Sequence, residues 1–155
     1  MSQAQDRRAR YLVVDASVSL KWALDDEDAV AEALALRDAG IDGTIQMVAP
    51  SLWLYEVTNG LLAATRQGRM DAALGRQALE LVVALGVRLA DPPPGDVYDL
   101  ARSYGVAAYD AAYVTLAEAL SSELWTGDRR LYNALRVRAS FVHWIGDFPA
   151  GGSRQ

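Results

Sequence analysis

Two aspartates each follow a short apolar segment of the kind that forms a buried strand. Asp15 comes directly after Tyr11–Val14, and Asp128 comes shortly after Glu123–Trp125. In parallel sheets, ligand sites lie beyond the carboxyl ends of the strands. We therefore expect both carboxylates at such a site, where they could bind a cation or take part in acid–base chemistry. The alternative is that each one caps a helix, a position that Asp commonly fills.

Two further acids lie inside apolar helical segments. Glu56 is near the start of a predicted long helix, and Asp110 lies between alanines and tyrosines. A carboxylate among such neighbours needs a partner, a metal ion or exposure to solvent. Because a helix face built from alanine packs closely, we expect Asp110 to face a site. A solvent-exposed helix face is the alternative for both acids.

Convergence of these four carboxylates would carry an electrostatic cost. Like charges in a shared site repel one another and raise each other's pKa. One or two divalent cations would relieve that repulsion, and oxygen ligands favour Mg²⁺ or Mn²⁺. A bound metal lowers the pKa of its water and stabilises developing charge, which suits phosphodiester hydrolysis. Such a reaction needs no nucleophile from the protein.

The amino-acid composition excludes several other kinds of functional site. The 155 residues include no cysteine and one histidine, His143, so thiolate sites and multi-histidine zinc sites are excluded. The net charge of −5 argues against a general nucleic-acid coat, though not against a nuclease whose carboxylates bind metal. The apolar segment at 11–14 is too short for a signal peptide or a membrane span. We therefore expect a soluble, cytoplasmic protein with no membrane partner.

The elements that position these acids alternate between strands and helices. Strands are predicted at 11–14, 46–49, 87–90, 123–125 and 141–144. Helices are predicted at 18–24, 26–39, 51–67, 71–85, 96–104, 107–120 and 129–136. This alternation indicates an α/β fold: a mainly parallel, twisted central sheet of about five short strands, with helices on both faces. We expect a flexible arm over 1–10, one domain over 11–148 and a flexible tail over 149–155.

The four acids lie in four short motifs that together resemble the PIN-domain ribonucleases, and most closely the VapC toxins of bacterial toxin–antitoxin pairs. The motifs are Val13-Val14-Asp15-Ala16-Ser17, Tyr55-Glu56-Val57-Thr58-Asn59, Tyr109-Asp110-Ala111-Ala112-Tyr113 and Thr126-Gly127-Asp128-Arg129-Arg130-Leu131. They come in the family's order and spacing and span nearly the whole chain. Each motif is unspecific alone, whereas the ordered set is fairly specific.

The resemblance implies a site, a reaction and partners. The implied metal ligands and catalytic acids, for one or two Mg²⁺ or Mn²⁺ ions, are Asp15, Glu56, Asp110 and Asp128. Ser17 and Thr126 would support this cluster through hydroxyl hydrogen bonds, and Asn59 would act from the helix face of Glu56. The implied activity is endonucleolytic cleavage of structured RNA such as tRNA or rRNA. The implied partners are a second copy, in a homodimer, and a small cognate antitoxin.

Several other features have two readings. Arg129 and Arg130 adjoin Asp128 and are candidates for RNA contact, although one of them could instead neutralise the acids. We expect Trp22, Trp53 and Tyr55 to pack in the core; the alternative is a groove for an antitoxin helix. The remaining features are interpreted as a solvated basic arm (Arg7, Arg8, Arg10), a solvated helix start (Asp25–Asp28) and a structural histidine (His143).

Two other functions remain open. The first is a PIN-like module that binds RNA or protein without cutting it. The second is a phosphatase or phosphoacceptor domain that uses Asp15 as its nucleophile. Against the second, Asp15-Ala16-Ser17 lacks an acid two residues on, and Lys21, the only lysine, is not placed after a late strand.

Overall fold

The computed structural model of the protein describes residues 9–151. The strands are β1 (Arg10–Val14), β2 (Ile45–Ala49), β3 (Arg88–Leu89), β4 (Glu123–Thr126) and β5 (Val142–Trp144). The helices are α1 (Ala16–Leu20), α2 (Val30–Ile41), α3 (Leu52–Arg66), α4 (Ala72–Ala84), α5 (Pro94–Tyr104), α6 (Ala108–Ala119) and α7 (Arg129–Leu135). A short 3₁₀ helix over Ile145–Asp147 follows β5.

The strands form one parallel sheet in the order β3-β2-β1-β4-β5. From β1 the chain proceeds to β2 and β3 on one side, and then crosses to β4 and β5 on the other. The strand order therefore reverses between β1 and β4, where Val14 pairs with Trp125. Such a reversal opens a crevice at the carboxyl ends of the two strands.

Helices cover both faces of the sheet, as predicted. Alternate residues of β1 point to opposite faces: Val13 belongs to the core beneath α3 and α6, whereas Leu12 and Val14 pack with α2. Because both faces are covered, the buried parts of the central strands are mostly apolar on both sides. This packing fixes the positions of the side chains just beyond the ends of β1 and β4.

The acidic segment before α2 differs from the prediction. We expected a helix from residue 26 with a solvated start, but α2 begins at Val30 after Ala29 in a left-handed conformation (φ 52°, ψ 32°). Asp26 and Glu27 accept hydrogen bonds from Arg69, and Asp28 pairs with the ammonium of Lys21. These ion pairs hold the segment as a turn in place of the first turn of a helix.

The structure also differs from the prediction at Arg10 and at Tyr55. Arg10 is part of β1 and pairs with Glu123 at 3.2 Å, so it does not belong to a free arm. Tyr55 was predicted to lie in the core, yet 76% of its surface is exposed, whereas Trp53 is buried. Residues 1–8 of the predicted arm and residues 152–155 of the predicted tail lie outside the described residues. Across the described part of the chain, no helix is both long and apolar enough to cross a membrane.

Candidate active site

Asp15 lies immediately after β1, at the reversal of the strand order, and is 6% exposed. Its Oδ2 accepts hydrogen bonds from Ser17 Oγ at 2.6 Å and from Thr126 Oγ1 at 2.9 Å. Oδ1 accepts none from the described residues, and the side chain makes no capping bond to α1. The carboxylate therefore keeps one oxygen for a ligand.

The same two hydroxyls connect Asp15 to the turn that carries Asp128. Ser17 Oγ accepts a hydrogen bond from the Gly127 amide at 2.8 Å, and Thr126 Oγ1 accepts one from the Asp128 amide at 3.0 Å. Each hydroxyl thus donates to Asp15 and accepts from the turn. This arrangement fixes the separation of Asp15 and Asp128. It uses neither Oδ1 of Asp15 nor the carboxylate of Asp128.

Asp128 and Asp110 lie beside the same arginine, Arg130. Asp128 caps α7 through Oδ1, which accepts from the Leu131 amide, so the capping role expected for it is observed. The guanidinium of Arg130 lies 3.5 Å from Oδ2 of Asp128 and 3.5 Å from Oδ2 of Asp110. Arg130 is therefore the neutralising arginine of the predicted pair. Arg129 instead lies over the ring of Trp144, 4.1 Å from its centroid.

Glu56 extends from α3 to a tyrosine of α6. The hydroxyl of Tyr113 donates to Glu56 Oε1 at 2.7 Å, and Tyr113 is almost completely buried. The sequence pattern does not single out Tyr113, because a tyrosine among alanines fits simple core packing. Tyr113 does lie three residues after Asp110, on the same helix face, and this spacing could have indicated a position near the site.

The charges of neighbouring acids act on Asp15 and on Glu56. Burial is the main cause that raises the pKa of Asp15, and the charges of Asp128 and Asp110 raise it further. Burial likewise raises the pKa of Glu56 to about 7, with contributions from the charges of Asp15 and Asp110. The Ser17, Thr126 and Tyr113 hydrogen bonds oppose these shifts. The site is therefore short of positive charge.

This donor set fits a divalent cation in its chemistry, although the carboxylates are not yet gathered around one point. Within residues 9–151, no three acids are close enough to hold a single ion as they stand. Tyr113 draws Glu56 toward α6, and Arg130 draws Asp110 and Asp128 to itself. The guanidinium of Arg130 shows where the site accepts positive charge.

An open cleft of about 570 Å³ is lined by two of the four acids, Glu56 and Asp110. It is lined by Leu52, Tyr55, Glu56, Asn59, Ala107, Tyr109, Asp110 and Arg130. Asn59 is exposed and shares the cleft with Glu56, as its spacing of three residues predicts. The structure therefore brings the predicted acids, Ser17, Thr126, Asn59 and Arg130 to one region, whereas Arg129 is held on Trp144.

Replacement of Tyr113 by Phe is expected to impair the site more than the fold. The ring would stay packed, but Glu56 would lose the donor that lowers its pKa and directs its carboxylate. Loss of a group that orients a metal ligand typically lowers metal affinity or activity by about 10- to 100-fold. Mn²⁺ titration by calorimetry would measure the effect, with Tyr98→Phe on the exposed face of α5 as control. Equal Mn²⁺ affinity in Tyr113→Phe and the parent chain would contradict the assignment.

Behind the turn that carries Asp128 lies Lys21, which is 3% exposed. Its ammonium donates to the backbone oxygen and to Oδ1 of Asp28, both at 2.8 Å. A Cβ added to Gly127 would lie 2.6 Å from Lys21 Cε and 3.2 Å from the Ser17 carbonyl oxygen. The turn is therefore packed directly against the buried lysine stem, and a side chain at position 127 would have to displace Lys21 from its pairing with Asp28.

Gly127→Ala is accordingly expected to destabilise the protein by about 1–3 kcal/mol, the usual effect of overpacking. The clash would push the turn outward and separate Asp128 from Asp15, so Mn²⁺ affinity should fall as well. Gly95→Ala is the matched control, because nothing lies within 4 Å of a Cβ there and the residue is in α5. Chemical denaturation of both variants would test this, and equal stability of the two would disprove the packing argument.

Comparison with known proteins agrees with the fold. The PIN domain family model matches residues 12–136. Ribonuclease VapC3 of Pyrobaculum aerophilum is 36% identical over 124 residues, which cover 77% of this chain and 91% of that protein. Ribonuclease VapC9 of Mycobacterium tuberculosis is 35% identical over 123 residues, covering 77% and 87%.

A solved structure shows the same architecture. The crystal structure of PAE2754 from Pyrobaculum aerophilum superposes with a TM-score of 0.68 and 28% sequence identity, covering 89% of this chain and 90% of that one. The family match extends from β1 to the residue after α7 and so includes all four acids. The chain therefore belongs to the PIN-domain family and, within it, to the VapC-type proteins.

Proposed function

We propose that this protein is a divalent-metal-dependent endoribonuclease and the toxin of a toxin–antitoxin pair. The observation that carries the proposal is the clustering of four carboxylates beside the reversal of strand order between β1 and β4, where the charges of neighbouring acids raise the pKa of Asp15 and of Glu56. Burial and mutual repulsion disfavour this arrangement unless a cation is bound. The relatives named as ribonucleases support the same reaction class.

In this proposal Asp15, Glu56, Asp110 and Asp128 hold one or two Mg²⁺ or Mn²⁺ ions. A bound ion supplies an activated water and stabilises charge on the phosphate that is cleaved. The protein's own groups have other tasks. Ser17 and Thr126 hold Asp15 in one orientation, and Tyr113 does the same for Glu56.

Arg130 has a second task in the same mechanism. It is 73% exposed at its side chain and reaches both Asp110 and Asp128, so it lies where an RNA phosphate would approach the acids. A guanidinium can bind phosphate oxygens in a bidentate manner. With cations at the acids, Arg130 would be available to bind a phosphate of the RNA. Arg129, held on Trp144, is at most a peripheral RNA contact.

We further propose that the protein forms a homodimer and is inhibited by a small antitoxin encoded beside it, with a structured RNA such as tRNA or rRNA as substrate. The VapC names of the relatives support a toxin–antitoxin context. Light scattering of the purified protein would measure the dimer. Growth arrest on expression, relieved by coexpression of the neighbouring small gene, would identify the antitoxin.

Transcriptome-wide mapping of RNA 5′ ends tests the activity directly. The protein would be induced in a bacterial host that lacks its antitoxin, beside an Asp110→Asn strain as control. Discrete new 5′ ends that vanish in the control would support the nuclease and identify its RNA. New ends in both strains would reject the assigned acids. No new ends, together with no Mn²⁺ binding by calorimetry, would favour the non-catalytic binding module.

A further inference from the structure

Two exposed tyrosines stand beside the acids, each directly before an acid in the sequence. Tyr55 precedes Glu56 on α3, and Tyr109 precedes Asp110 on α6. They are 76% and 71% exposed, respectively. Consecutive helical residues point about 100° apart, so when the acid faces inward the preceding ring stands at the rim.

Both rings line the cleft that contains Glu56, Asp110 and Arg130. The cleft's volume of about 570 Å³ is in the usual range for sites that accept a small ligand or a nucleotide. Its lining combines carboxylates for a metal, a guanidinium for a phosphate, the amide of Asn59 and two aromatic rings. A nucleotide has a phosphate, polar edges and a flat face, which match the charged groups, the amide and the rings of this lining.

We propose that Tyr55 and Tyr109 are base-stacking residues that receive unpaired nucleotides on either side of the phosphate that is cleaved. This inference rests on the proposed ribonuclease function and adds the residues that recognise the substrate. Aromatic rings stack on any base, so the contact selects for unpaired nucleotides and tolerates differences in sequence. In a continuous duplex the base faces are already stacked on their neighbours, so neither ring could reach one.

The test is a binding experiment with fluorescently labelled RNA. Single-stranded RNA of about eight nucleotides, a length within the range that one small binding domain covers, would be titrated with protein and followed by anisotropy. Ca²⁺ would replace Mg²⁺, so that binding is measured apart from cleavage. A duplex containing the same strand would be titrated in parallel.

Tyr55→Ala and Tyr109→Ala are each expected to weaken single-strand binding by about 5-fold to about 150-fold, the equivalent of roughly 1–3 kcal/mol per stacked base. Tyr55→Phe and Tyr109→Phe should bind within about 2-fold of the parent chain, because the stacking face remains. Tyr98→Ala is the matched control, since Tyr98 is 68% exposed on α5 but outside the cleft. Duplex binding should change little in any variant.

Three results would overturn the inference. The alanine variants could bind single strands as the parent does, or Tyr98→Ala could lose as much affinity as they do. The alanine variants could also change the mass measured by light scattering, which would make the cleft a contact between protein copies. Failure of the proposed nuclease function would give a different result from failure of the stacking role. A parent chain that cuts no RNA in Mn²⁺ rejects the nuclease itself. A parent that cuts RNA while the alanine variants bind normally rejects only the stacking role.

Discussion

Asp15→Asn is expected to reduce RNA cleavage by more than about 100-fold while leaving the protein folded. The amide oxygen can still accept the Ser17 and Thr126 hydroxyl bonds, so the local network is preserved. The other position becomes an NH₂ group, which cannot bind a cation. Removal of a group that merely orients a metal ligand costs about 10- to 100-fold, so loss of a ligand should exceed that.

The same substitution is expected to stabilise the protein in metal-free buffer at neutral pH. Burial raises the pKa of Asp15, so its charge disfavours the folded state there, and the neutral amide removes that cost. Asp99→Asn removes an equal charge from an exposed position on α5 and should change neither cleavage nor stability measurably. Cleavage rates in Mn²⁺ and melting in EDTA would be compared for both variants. Full activity in Asp15→Asn would refute the proposed mechanism.

The placement of Asp15 and Asp128 after strands could be predicted because it depends on local pattern alone. An acid that follows a short apolar strand in an α/β chain lies at the carboxyl edge of the sheet. The pairing of β1 with β4, which makes the two acids neighbours, depends on strand order and was not predicted. Their roles as metal ligands stay predictions. Asp128 also shows that capping and site roles are compatible, since its two oxygens are used separately.

Other features depend on residues distant in the sequence and could not be read from local pattern. The acidic segment before α2 was interpreted as a solvated helix start, yet its partner Arg69 is 43 residues from Asp26. Tyr113 was missed because its ring is in the core while its hydroxyl is at the site. The prediction that Tyr55 packs in the core was wrong, although helical periodicity predicts its exposure. Trp53 and Val57 face the core four residues apart, and Tyr55 points away from both.

Glu56 is expected to give the metal-free protein an unusual dependence on pH. Its carboxyl has a pKa of about 7 when folded and 4.5 as its reference value. Between these values the folded state keeps a proton that the unfolded state has released. The free energy of unfolding should therefore fall as pH rises from about 4.5 to about 7, and the full penalty remains above pH 7. The carboxyls with lowered pKa, such as Asp26 and Asp28, act below about pH 4, outside this window.

The full shift in the pKa of Glu56 corresponds to about 3 kcal/mol in the free energy of unfolding. Because Glu56 is only half-buried, solvent screening reduces the expected contribution to about 1 kcal/mol, or a few degrees in Tm. Melting curves in EDTA between pH 4.5 and 7.5 would measure it. Glu56→Gln can still accept the Tyr113 hydroxyl bond but does not titrate, so its profile should be flatter over that range. Parallel profiles for the two chains would remove Glu56 as the cause.

Addition of Mn²⁺ should reverse the sign of this pH dependence. A divalent cation binds the deprotonated carboxylates, so its affinity rises with pH through the same window. At a concentration of about 100 times its Kd, a ligand specific for the folded state stabilises it by about 2.7 kcal/mol, which exceeds the roughly 1 kcal/mol assigned to Glu56. The parent chain should therefore become more stable from pH 4.5 to 7.5 in Mn²⁺ and less stable in EDTA. Curves that keep the same slope in both buffers would mean that the carboxylates repel one another without holding a metal, and the ribonuclease proposal would then lose its physical basis.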